Sequence, residues 1–331
     1  MNGGVSVLRR IEGLPIVGVF LLLVVMFMTL APEVFLKYRI YMSFLATVPP
    51  VLILALGLTL VIAAGEIDLS FPSVIAFSGL IFAYFYKIHD LTWLAILAAL
   101  LGGALIGFVN GVLVASIGIP SIIATLGTQF FWGGITTVLS GGLSYNIRSV
   151  KEELIWDVFV GRIGALPMQT FWIVALAVLL WFLLNRHRFG EHILFIGDNA
   201  NVARVVGINV PLERIKLFTL MGVLGAFAAV LLTLENKNFF NTQGTGYLLI
   251  SLAAVFIGGT SIFGGQGTIV GSFFGAFIIM MIEAGLVATG IQGFWVRAVV
   301  GLVFIAAVVF HLSVESPDRL ASLRRLVWKD S

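Results

Sequence analysis

Two stretches constrain this chain more than any other feature. From Leu91 to Ile147, and again from Asn238 to Ile282, there is no Asp, Glu, Lys or Arg. Runs of that length fit pairs of membrane spans at about 20 residues each. Composition agrees: 60% of residues are hydrophobic and 11% charged, and the mean hydropathy is +1.11. Soluble domains carry roughly a quarter of their residues as charges. The expected fold class is therefore an all-α integral membrane protein, and a soluble two-domain chain is excluded.

Apolar segments fall near 14–36, 43–64, 70–87, 92–117, 119–140, 168–185, 215–235, 247–263, 267–288 and 293–312, which predicts about ten transmembrane helices in a single domain over residues 1–331. Basic residues orient them, because cytosolic loops carry the excess of Lys and Arg. Arg9 and Arg10 precede the first segment; Arg186, Arg188, Arg204, Arg214 and Lys216 crowd the loop after the sixth; Arg319, Arg324, Arg325 and Lys329 follow the last. Ten spans with both termini cytosolic put all three clusters inside, with Lys37, Arg39 and Lys87 as exceptions outside. The long connections are then an external connector over 141–167, a cytosolic loop over 186–214 and a cytosolic tail over 313–331. The run from Leu14 to Ala31 lacks a small-residue cleavage site and reads as a retained helix rather than a signal peptide.

The stretch Leu56 to Gly79, LGLTLVIAAGEIDLSFPSVIAFSG, breaks that apolar pattern. A run of membrane quality stops at Gly65, places Glu66 and Asp68 close together, and resumes through Ser70, Pro72 and Ser73. A charge at membrane depth costs on the order of 3 kcal/mol by insertion scales, so such acids belong in protein or beside a water-filled path. Gly and Pro beside them predict two helices meeting at a polar junction. Three roles stand open: a proton or cation site, hydrogen bonding to a polyhydroxylated substrate, or capping of the following helix by Asp68 or Ser70. Asn110, Thr125 and Gln129 are further polar positions, facing a path or bonding between helices. Glu283 and Arg297 are lone charges that pair across helices or lie near the surface.

Glycine dominates the remaining signal, with 37 in the chain. Gly103, Gly107 and Gly111 stand at four-residue intervals, as do Gly267, Gly271 and Gly275. In lipid, helices associate through close packing of small residues, so each set predicts a seam, with Gly258, Gly259, Gly264 and Gly265 forming another break. That break resembles the one at Gly65, and by the span count both face the same side, unlike an inverted repeat. GGQGTIVG lacks the spacing of a dinucleotide loop, and no G-x-x-x-x-G-K-[ST] occurs. ATP binding by this chain is not expected. Cysteine is absent and the four histidines are scattered, so neither a metal site nor catalysis is expected.

The inner loop over Phe189 to Ile208 suits one or two short amphipathic helices. Asn199 is placed to cap a helix over 200–206, and Gly207 to end it.

At this point the residues resemble a known family, the permease subunits of ribose-, galactose- and xylose-type ABC importers, with more distant branched-chain amino-acid permeases. Three stretches carry the resemblance: GLTLVIAAGEIDLSFPS from Gly57 to Ser73, RFGEHILFIGDNANVARVVGI from Arg188 to Ile208, and YLLISLAAVFIGGTSIFGGQGTIVGSFFG from Tyr247 to Gly275. Glu66, Phe71-Pro72 and Asp198 depart from the family pattern. The resemblance implies a dimeric permease in the bacterial cytoplasmic (inner) membrane, driven by a cytosolic ABC ATPase that uses ATP and Mg, and supplied by an extracytoplasmic sugar-binding protein. It implies alternating access, with Arg188, Gly190, Gly197, Asn199, Ala203, Gly207 and Ile208 in an ATPase-coupling loop, and Asp68 and Ser70 at the broken helix near the pathway. Nucleosides or branched-chain amino acids are alternative substrates. A secondary transporter using Asp68 and Glu66, and a membrane scaffold without transport, are the rivals from other classes. No nucleic-acid partner is expected.

Overall fold

The computed structural model describes residues 13–89 and 92–315. The basic residues outside that range, Arg9, Arg10, Arg319, Arg324, Arg325 and Lys329, flank the chain beyond the described residues. In chain order the helices are α1 (Leu14–Leu30), α2 (Pro32–Phe35), α3 (Tyr38–Thr47), α4 (Pro49–Ala63), α5 (Phe71–His89), α6 (Thr92–Ala115), α7 (Ser121–Ser140), α8 (Leu154–Val160), α9 (Met168–Arg186), α10 (Arg188–Val205), α11 (Val210–Asn236), α12 (Tyr247–Ile257), α13 (Ile269–Ala288) and α14 (Val296–Glu315). Among the described residues, strands are limited to two-residue pieces, β1 (Tyr145–Asn146), β2 (Arg162–Ile163), β3 (Leu166–Pro167) and β4 (Asn238–Phe239), paired antiparallel as β1–β4 and β2–β3.

Every residue of α4 is buried, as a helix apolar on all sides must be. Around it pack α11, α12, α13 and α9. Outward faces of α6, α7 and α9 expose large apolar side chains such as Leu101, Phe130 and Val178, the surface a bilayer would cover.

Five described helices are long and apolar enough to cross a membrane, and six if α3 and α4 form one bent span. Four further apolar helices are shorter, so helix length does not establish the predicted count of ten. The reason is local. The segment predicted over 43–64 is bent by 53° between α3 and α4, where Pro49 and Pro50 remove two successive helix donors. The segment predicted over 247–263 holds an 11-residue helix because Gly258 and Gly259 end it. At the other end of the chain, α14 runs to Glu315, so residues 313–315 of the predicted tail continue a helix.

The connector 141–167 is ordered against the bundle. Ile147 N donates to Lys237 O beyond the β1–β4 pair. Glu153 accepts from Tyr86 (2.7 Å) and Thr92 (2.6 Å) at the facing ends of α5 and α6. Phe159 of α8 stacks on Trp172 of α9.

Candidate coupling and translocation site

The break at Gly65 is built by a helix that ends and a neighbour that replaces its hydrogen bonds. Gly65 adopts φ +76°, a conformation that costs a side chain. Its amide bonds Ile62 O and the Glu66 amide bonds Val61 O, the paired closure of a Schellman motif. Beyond it, residues 66–70 leave the helix and their amides need partners. Two hydroxyls one turn apart on α7 supply them: Ser121 Oγ accepts from Ile67 N (3.1 Å) and Thr125 Oγ1 from Leu69 N (3.0 Å). The α5 start is equally furnished. Asp68 Oδ1 accepts from both Ser70 N (2.7 Å) and Ser70 Oγ (2.6 Å), so Asp68 closes the turn ahead of the helix. Asn110 of α6 donates to Ser70 Oγ (2.7 Å) and accepts from Thr128 (2.7 Å). Asp68, Ser70, Asn110 and Thr125 are all buried and bonded to one another or to the break.

Glu66 has a different partner. Its Oε1 lies 2.7 Å from Arg214 Nη2, near the start of α11. The preceding residue, Glu213, is buried and meets His192 of α10 at 3.3 Å and Lys216 at 3.2 Å. The first turn of α11 thus joins α10 on one side to the break on the other. Glu283 and Arg297, by contrast, form no ion pair among the described residues; they sit on separate helices, α13 and α14.

The inner loop is two helices at an angle. Asn199 stands outside helical geometry at φ −158°, ψ 102°. Its Oδ1 accepts from Asn201 N (3.0 Å) and Val202 N (3.2 Å), which caps a short second helix over 200–205. Gly207, at φ +89°, ends that helix. Ala203 and Ile208 anchor it in a small cluster with Ile196 and Val210. Its outer face exposes Val202, Arg204, Val205 and Val206, with Val205 87% accessible. Arg188 is exposed, whereas Gly190 is buried where a Cβ would strike the carbonyls of Leu183 and Leu184. Gly190 therefore seats α10 on the end of α9.

All three stretches singled out in the sequence meet at one point. A Cβ on Gly197 would overlap Ala63 O and Gly265 N, and one on Gly264 would crowd both Gly65 and Gly197. Gly265 N donates to Ala63 O (2.8 Å), and Gly267 abuts Thr59 and Ala63. The two breaks thus face each other at the end where α10 lies. The seams have definite partners as well. Gly103, Gly107 and Gly111 lie against the backbone of Gly222, Phe218 and Ile215 on α11, while Gly258 meets Gly271 and Gly275 meets Ala254.

Gln129 belongs to other surroundings. With Ser73, Thr137, Asn241 and Thr245 it lines a groove of about 380 Å³ between α5, α7 and the segment before α12. Sequence reasoning missed Ser121, Thr128 and Arg214. The spacing of Ser121, Thr125 and Thr128, one face of a helix, was the available signal for the first two; nothing local marks Arg214 as the partner of Glu66.

Helices broken at glycines, a polar junction and an exposed capped helix at one end define a multi-pass α-helical transport protein. The chain belongs to the family described as branched-chain amino acid transport system / permease component, whose model matches residues 40–308. It is 34% identical over 291 residues to the ribose import permease protein RbsC of Escherichia coli (strain K12), spanning 87% of this chain and 90% of that one. It is also 34% identical over 260 residues to the autoinducer 2 import system permease protein LsrC of Salmonella choleraesuis (strain SC-B67), 78% of this chain and 74% of that one. No solved structure matches it.

Proposed function

We propose that this chain is the permease subunit of an ATP-binding-cassette importer that carries a monosaccharide or related polyol across the bacterial cytoplasmic membrane by alternating access. The observation that carries the reading is the glycine contact of Gly197 with Ala63 and Gly265. It seats the first part of α10 on both breaks, with only Asp198 and Asn199 between that contact and the exposed helix that Asn199 caps, so motion imposed on that helix reaches the breaks across one short bend. A cytosolic ATPase pair, using ATP and Mg, would take the face of Val202, Arg204, Val205 and Val206 in a groove. A binding protein would deliver substrate to the connector 141–167, and a second permease copy or paralogue would complete the pathway. Ten crossings with cytosolic termini fit this assignment and put Arg186, Arg188, Arg204 and Arg214 inside. Hydroxyl and amide groups at Ser73, Gln129, Thr137, Asn241 and Thr245 suit a polyol, and the import functions named for the two relatives point the same way.

The test is uptake of labelled sugar into proteoliposomes holding this chain, a partner ATPase and a binding protein, with ATP inside. Val205→Asp places a charge on the exposed face. ATP-driven uptake and retention of the ATPase should both fall at least tenfold, with the permease still folded. Uptake by this chain alone on a proton or sodium gradient, blocked by Asp68→Asn, would overturn the reading.

A further inference from the structure

We propose that a cavity at the far end of the bundle from Gly197 binds a primary ammonium group. The cavity holds about 180 Å³ and is lined by Ala46, Pro50, Gln169, Leu231, Glu235 and Tyr247 among others. Gln169, near the start of α9, is 2% exposed. Its Nε2 donates to Glu235 Oε2 at 2.7 Å, which turns Oε1 away from the carboxylate. Among the described residues that Oε1 has no hydrogen-bond partner, and a buried amide oxygen left so costs about 1–3 kcal/mol unless a donor arrives.

The other groups in the cavity also ask for a donor with positive charge. Glu235 makes no ion pair among the described residues. The neighbouring cation, Lys237, lies over the Trp156 ring. Anions are excluded by Glu235. A bare metal ion leaves most of the space unused, since each water takes about 30 Å³. The walls of Pro50, Leu231, Leu232 and Tyr247 suit a cation with carbon attached, and an aromatic face adds attraction for it.

Position suggests a source. Glu235 is separated from Arg214 by about 30 Å along α11 at 1.5 Å per residue, one hydrocarbon thickness. The cavity therefore lies at headgroup level, where an ethanolamine lipid carries its ammonium; a free amine shares the chemistry.

The experiment uses the full chain in nanodiscs containing equal dioleoyl-phosphatidylethanolamine and dioleoyl-phosphatidylcholine, whose quaternary nitrogen has no N–H. Native mass spectrometry reads the retained lipid. Ethanolamine lipid should be retained at least fivefold over choline lipid. Glu235→Gln and Gln169→Leu should each reduce that ratio below twofold with helix content unchanged. Since Glu235 is exposed, its variant keeps the test valid if Gln169→Leu fails to fold. Displacement by free ethanolamine would make the amine sufficient, and preference without displacement would make the whole lipid the ligand; both support the site. A folded wild type without preference, or a preference untouched by Glu235→Gln, would overturn it.

Discussion

Glu66 Oε1 and Arg214 Nη2 lie 2.7 Å apart, in side chains 9% and 21% exposed. They tie the α4–α5 break to the first turn of α11, and through Glu213 and His192 to α10. Both acids of the break thus have internal partners, Glu66 an arginine and Asp68 the amide and hydroxyl of Ser70.

Breaking that joint from either side should have unequal effects. Arg214→Gln strands the less exposed charge and should destabilise the protein by about 2 kcal/mol, below the range for a fully buried pair because water reaches the arginine. Glu66→Gly leaves an arginine that can turn to solvent and should cost about half as much. The double substitution should be milder than the sum of the singles, since neither charge is left alone. Thermal unfolding of the purified protein in detergent measures all three, and strict additivity would show that the pair contributes nothing.

The seam between α6 and α11 predicts a sharp positional contrast. A Cβ at Gly107 would overlap the Phe218 carbonyl, whereas one at Gly127 or Gly133 on α7 meets nothing within 4 Å. Gly107→Ala should cost about 1–3 kcal/mol through overpacking. Gly127→Ala and Gly133→Ala should be neutral or slightly stabilising, since alanine favours helix by nearly 1 kcal/mol over glycine. Unfolding temperatures of the three variants check this.

What could be read from the chain beforehand follows the range of the interactions. The capped helix between Asn199 and Gly207 was legible to within one residue, expected over 200–206 and found over 200–205, because both its signals act within a few positions of the backbone they serve. The glycine seams were legible as faces but not as pairs: four-residue spacing says that Gly103, Gly107 and Gly111 share a side, and only the fold supplies Gly222 opposite them. The polar junction was visible at Asp68 and Ser70, while its support from Ser121 and Arg214 depends on long-range packing. Gly190 looked like part of a docking surface and is instead packed on α9, since a glycine in a motif reads alike whether backbone or partner approaches it. The apolar segments were found, but Pro49, Pro50, Gly258 and Gly259 divide them into helices shorter than a simple span.

Asn110 holds the junction from α6, its amide nitrogen donating to Ser70 Oγ and its amide oxygen accepting from Thr128 Oγ1. Asn110→Leu would leave Thr128 and Ser70 without these contacts in a buried site, at about 1–3 kcal/mol for an unsatisfied group. Thr128 still reaches Thr125 O at 3.1 Å, so the loss should lie at the lower end of that range. Because the junction meets α10 through Gly65 and Gly197, sugar uptake should fall further than stability does. Parallel unfolding and uptake assays separate the two; equal losses would mean that Asn110 only stabilises.

The last prediction concerns the end of the exposed helix. Gly207 at φ +89° lets Ile208 N reach Ala203 O at 3.0 Å and the Gly207 amide reach Arg204 O at 3.1 Å. A β-branched residue there pays about 1–2 kcal/mol for the left-handed conformation, whereas asparagine tolerates it. Nothing lies within 4 Å of a Cβ at Gly207, so size alone is harmless and only backbone conformation is tested. Gly207→Val should speed amide exchange over 200–208 about tenfold and reduce ATP-driven uptake, while Gly207→Asn stays within about threefold of the parent, in line with the preference for Gly then Asn at this position. Equal behaviour of the two variants would mean that the turn does not need the left-handed state, and that the helix is held by the Ile196, Ala203 and Val210 cluster alone.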